Sequence, residues 1–109
     1  MVTWDDFEKI DMRVGTIVEI NDFPKAKKPA YQLRIDFGEL GIKASSAQIT
    51  SFYPKDSLLG KQVIAVVNFP PKQIANFISE CLVLGVYTEN KDVILLQPER
   101  GAHNGGKIG

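Results

Sequence analysis

The sequence has one cysteine, one histidine and one tryptophan in 109 residues, and no surplus of charge, with 13 basic and 13 acidic side chains. A single cysteine, Cys81, excludes the internal disulfide framework of many small secreted domains. The single histidine, His103, sits in a glycine-rich tail, so no Cys/His cluster can hold a metal and no base stands beside a nucleophile. There is no GxxxxGK[ST] or GxGxxG phosphate loop. The longest aliphatic run, residues 63–67, is far too short to cross a bilayer. Zero net charge excludes a polycation over the whole surface, so a nucleic-acid site needs a local basic patch. The opening "MVTWDDFEKI" is acidic and short of apolar residues, unlike a secretory leader. These absences set the expectation of a soluble, cytoplasmic, non-catalytic protein with no cofactor, no metal and no membrane insertion.

What is present is unevenly placed. Residues 1–22 hold six acids and two bases, whereas residues 23–79 hold eight bases and three acids. The length suits one domain over 1–109 with one core. Thr3 followed by Asp6 signals a helix start, and Trp4, Phe7 and Ile10 recur at three-residue spacing. That helix is too short to stand alone, and a barrel filled by its own strands has little room for a tryptophan and a phenylalanine. Trp4, Phe7 and Ile10 are therefore expected at the interface of a homodimer, with capping of the helix's own barrel as the alternative.

From Arg13 the period changes to two. Val14, Thr16, Val18 and Ile20 are expected on the core face of a first strand, with Gly15, Ile17 and Glu19 opposite. "YQLRIDF" alternates with Tyr31, Leu33, Ile35 and Phe37 inward, a second strand. A third strand is expected over 42–49, a short helical turn ending at Gly60, and a fourth strand over 62–68 that is apolar on both faces. A fifth strand follows over 81–87, an added strand over 92–98, and then an irregular tail. The order predicts an all-β OB-fold: a five-stranded barrel with a short N-terminal helix, a short helix between strands 3 and 4, and an added C-terminal strand.

OB-folds commonly bind through the loops joining strands 1 and 2 and strands 4 and 5. Here these are "FPKAKKPA" (23–30) and "FPPKQIANFIS" (69–79), each mixing Phe, Pro and Lys. Lys25, Lys27 and Lys28 supply flexible cations for phosphate or acidic peptide groups, and the prolines restrict the loop. In "NFPPKQI", Asn68 offers an amide, Phe69 a stacking or apolar surface and Lys72 a charge. Buried, inert packing is expected for Cys81.

"DMRVGTIVEI", "YQLRIDFG", "LLGKQVIAVVNFPPKQI", "SECLVLGV" and "VILLQPERGAHNGGKIG" resemble, in the same order, segments of the tRNA-binding-domain family. "KPAY", "SSAQI" and "NFPP" are similar to the wording of its CsaA-type export chaperones. The resemblance implies an OB-fold homodimer that binds unfolded preproteins and the export ATPase SecA, or else tRNA. It also implies a ligand surface at Arg13, Ser46, Asn68, Lys72 and Ser79. Two positions depart from the tRNA-binding pattern. Ser46-Ala47 stands for a Ser-Gly pair, and Ser79-Glu80-Cys81-Leu82 for Ser-x-Gly-Met. A glycine permits close backbone approach that a side chain hinders, which tilts the expectation toward polypeptide.

Overall fold

β1 (Met12–Asp22) is the longest strand of the computed structural model, which describes residues 1–109. It pairs antiparallel with β2 (Tyr31–Asp36) along its second half and with β4 (Gln62–Val66) along its first. β2 pairs with β3 (Ile42–Ala47) and β4 with β7 (Leu82–Val83), giving the order β3-β2-β1-β4-β7. The sheet curls until β3 meets residues 79–81. There Ala44 N–H donates to Glu80 Oε1 at 2.9 Å, Glu80 N–H to Ala44 O at 2.8 Å, and Ser46 N–H to Ser79 Oγ at 3.1 Å. The result is the expected OB-fold barrel, nearly closed, with a seam held largely by side chains.

The second strand follows the sequence pattern, because an uninterrupted antiparallel ladder keeps its period of two. Tyr31, Leu33, Ile35 and Phe37 are all buried and share the core with Ile17, Leu58, Val63 and Ala65. The first strand does not. Its pairing with β2 shifts register between Ile17 and Glu19, a β-bulge that spends one extra residue. Ile17 is therefore fully buried in the core and Val18 is 43% exposed, the reverse of the expectation. Gly15 also faces inward against Ile35 and Phe37, and Ile20 returns to the core beyond the bulge. Val14 is buried outside that cluster, where Gly105 N–H donates to its carbonyl at 2.7 Å.

The short helical turn expected before strand 4 is present as a single 3-10 turn, Lys55–Ser57, which delivers Leu58 fully buried into the barrel. Other expectations need correction. Residues 69–79 are not simply a loop. They contain a hairpin of β5 (Lys72–Ile74) and β6 (Phe77–Ser79). The fifth strand divides at Leu84 into β7 and β8 (Gly85–Tyr87), and β8 forms a second hairpin with β9 (Val93–Leu95). The tail is irregular as expected apart from one bridge, Arg13 with Lys107, where it lies along the free edge of β1. Val14 N–H donates to Gly106 O at 2.9 Å and Ile108 N–H to Met12 O at 2.9 Å.

α1 (Trp4–Glu8) carries the capping box read from Thr3 and Asp6, with reciprocal bonds of 3.1 Å. It buries none of its residues, so it does not plug its own barrel. Asn68 fixes the link from α1 to β1: its Nδ2 donates to Lys9 O at 2.7 Å, and Asp11 N–H donates to its Oδ1 at 3.0 Å. No helix is long and apolar enough to cross a membrane.

Candidate functional site

Loops 23–30 and 69–79 lie side by side because an aromatic from each packs inward. Phe23 is buried and meets Phe77 edge-to-face, with ring centroids 5.6 Å apart. Beside this contact a depression of about 410 Å³ is lined by Lys25, Lys27, Lys28, Ser46, Gln48 and Ile74, among others. A second, of about 210 Å³, is lined by Ser46, Phe69, Lys72, Ile74, Ser79 and Leu82, with Cys81 at its floor. A third, of about 240 Å³, takes in Ser46, Gln48, Leu82, Tyr87, Lys91 and Val93. Ser46 lines all three, so they are sections of one groove that follows the barrel seam. Its charged lining is five lysines with no carboxylate. Apolar side chains occupy the same walls, and Phe69 is 54% exposed there.

Seven residues expected from the sequence are thus brought together: Lys25, Lys27, Lys28, Ser46, Phe69, Lys72 and Ser79. Two are placed elsewhere. The Asn68 amide is committed to the backbone of residues 9 and 11. The Arg13 guanidinium binds Asp11 Oδ1 at 2.6 Å and Gly105 O at 3.0 Å, and borders a separate hollow with Glu39, His103 and Asn104. Both hold the chain's ends against the barrel. Gln48, Ile74, Leu82, Tyr87 and Lys91 were not expected from the sequence. Reading residues 85–95 as a hairpin would have brought the last two to the seam. A larger hollow, about 600 Å³, lies at α1 and is lined by Val2, Thr3, Trp4 and Phe7. With a single polar side chain it offers a surface for packing and no chemistry.

A family model described as "Putative tRNA binding domain" matches residues 12–107. The chain belongs to the tRNA-binding-domain family. It is 60% identical to the CsaA chaperone protein of Picrophilus torridus, with a TM-score of 0.94 over 100% of both chains. The chaperone CsaA of Bacillus anthracis is 52% identical, with a TM-score of 0.95 over 100% of this chain and 99% of that one. Among curated relatives, the methionine–tRNA ligase of Nanoarchaeum equitans is 34% identical over 108 residues. Those residues are 99% of this chain but 14% of the ligase, so the likeness is to one domain of an enzyme.

The two departures from the family's tRNA-binding pattern fall inside the groove. Ala47 lines the third depression and Cys81 the second. Cys81 is held from both sides, its Sγ donating to Ala44 O at 3.7 Å and its carbonyl accepting from Ser45 Oγ at 2.9 Å. Burial pushes its thiol up to about 11, only partly opposed by the Ser45 hydrogen bond. The native thiol therefore stays protonated, and a thiol reagent at pH 8 is expected to leave Cys81 unmodified until denaturant is added, then react with one equivalent. Prompt stoichiometric reaction of the folded protein would show the groove floor to be open.

Proposed function

We propose that this protein is a cytoplasmic, homodimeric chaperone that holds extended segments of unfolded preproteins in the Ser46 groove, before export through the ATPase SecA. The observation that carries the reading is the composition of the groove. Lys25, Lys27, Lys28, Lys72 and Lys91 share its walls with Phe69, Ile74 and Leu82, and no acid intervenes. Apolar walls suit the side chains that an unfolded chain exposes, and the cations suit its acidic or C-terminal groups. Likeness to two CsaA chaperones along the whole chain supports the same reading.

A second reading, a module that recognises tRNA shape in trans, is favoured by the family match over residues 12–107. Ala47 and Cys81, which stand where the family's tRNA-binding pattern has glycine, are both buried in the barrel core, so their side chains do not themselves obstruct a sugar–phosphate backbone, and the choice between the readings rests on binding. Titration of the protein with bulk tRNA and with an unfolded preprotein, side by side over a salt series, separates the two. Preprotein binding is expected to be the tighter at physiological salt and to change little, whereas tRNA binding falls steeply through counterion release. Preference for tRNA at physiological salt would replace the chaperone reading. In the same assay Lys27→Glu/Lys28→Glu is expected to weaken preprotein binding about tenfold and tRNA binding about a hundredfold. Unchanged binding of both would remove that loop from the site.

A further inference from the structure

Two residues other than glycine have positive φ, and both line the groove, one in its first section and one in its third. Ala75 (φ 52°) borders the depression of Lys27 and Lys28, and Lys91 (φ 67°) borders that of Tyr87. A side chain in left-handed backbone carries a cost that glycine avoids, and such positions gather at functional sites. At Lys91 the turn is held without help from its side chain. Thr88 N–H donates to Asp92 O at 2.8 Å, Lys91 N–H to Thr88 O at 3.0 Å, and Asp92 N–H to Thr88 Oγ1 at 3.1 Å. The Lys91 ammonium takes part in no salt bridge. Next to it Tyr87 is 73% exposed, and Leu82 is also exposed where the second and third depressions join.

We infer that Lys91 is a second cationic end of the groove. The preferred occupant is then an extended polypeptide segment with an apolar middle and an acidic residue on each flank. The middle lies over Ile74, Leu82 and Tyr87, one acid meets Lys27 and Lys28, and the other meets Lys91. This rests on the polypeptide reading of the groove. Charge complementarity selects the occupant, because five cations line the path with no carboxylate to repel an acidic chain. Lysine suits the task, since a point charge on a flexible stem accepts an acid in many orientations where a guanidinium fork demands one. Tyr87 adds a broad apolar face at low entropic cost.

Fluorescence anisotropy with three labelled peptides sharing one apolar core tests this, the peptides carrying acids on both flanks, on one, or on neither. The wild type is compared with Lys91→Gly, a change that suits the left-handed turn and is expected to keep or raise the melting temperature. The wild type is expected to bind the two-acid peptide about fivefold more tightly than the one-acid peptide, the scale of an exposed ion pair. In Lys91→Gly that advantage falls below about twofold. If Lys91→Gly retains the full advantage, the inference is overturned and the polypeptide reading survives. If the wild type binds none of the peptides, the polypeptide reading falls and takes the inference with it. If Lys91→Gly weakens tRNA alone, this end belongs to nucleic acid and the inference is overturned.

Discussion

Trp4→Ala/Phe7→Ala is expected to sediment at the mass of one chain, and the wild type at twice that mass. Trp4 is 83% exposed on a five-residue helix with no fully buried residue, and Phe7 is partly buried. Val2 and Ile10 are exposed beside it, which leaves an apolar surface without an intramolecular partner. A two-fold axis would let this surface meet itself, and each aromatic buried would then contribute about 2 kcal/mol on both chains. Retaining only half of that gross gain after association costs, loss of both side chains raises the dimer dissociation constant about a thousandfold. The Thr3–Asp6 capping box is untouched by the two substitutions, so the helix itself should persist. A double mutant that stays fully dimeric, or a wild type that is monomeric, would move the interface elsewhere. Dimerisation would place two grooves on one particle and raise avidity for a long unfolded chain.

Gly15→Val is expected to cost about 3 kcal/mol or more and to lower the melting temperature by 15 °C or more, roughly, at the usual size scaling. A Cβ at this position would lie 2.6 Å from Ile35 Cγ2 and 2.7 Å from Phe37 Cδ1 and Cε1. Both neighbours are fully buried, so neither can swing away into solvent. Valine adds two further methyl groups to that overlap. Because β1 joins β2 and β4, a displaced β1 would disturb both ladders at once. Gly101→Ala, where an added Cβ meets nothing within 4 Å, serves as the control and should melt within a degree or two of the wild type. A Gly15→Val protein that melts with that control would show that the barrel can relax around the new side chain.

How far the sequence could be read depended on how regular each backbone is. Tyr31 to Phe37 was legible because a ladder without interruption puts every second side chain on one face. The bulge at Val18 has no residue signature, since valine followed by glutamate is ordinary strand wording, and one extra residue reversed the expected face. The two hairpins around the groove were hidden for a related reason. The first turns at Ala75-Asn76 and the second at Asn90-Lys91, and in each the left-handed position falls on the alanine or lysine rather than on the neighbouring asparagine. The groove was half legible. Its lysine loop and Phe69 follow from where an OB-fold places its loops, whereas Tyr87 and Lys91 depend on a hairpin folded back toward the seam. Arg13 and Asn68 mark the limit of motif reading, because their hydrogen bonds inside the fold cannot be seen in a string of letters.

The seam joins two traits that are separable in barrels closed by backbone alone. Ser79 and Glu80 supply the acceptors that hold β3 shut, and Ser46 and Ser79 also line the groove. A substitution at 79 that alters ligand preference therefore also alters how firmly the barrel is closed, and one at 80 shifts the wall against which the ligand lies. Descendants of this chain cannot drift freely in specificity at these positions while keeping their stability constant. New binding preferences are more accessible at the groove's outer rim, at residues 25–28 and 72, where the fold asks little of the side chain.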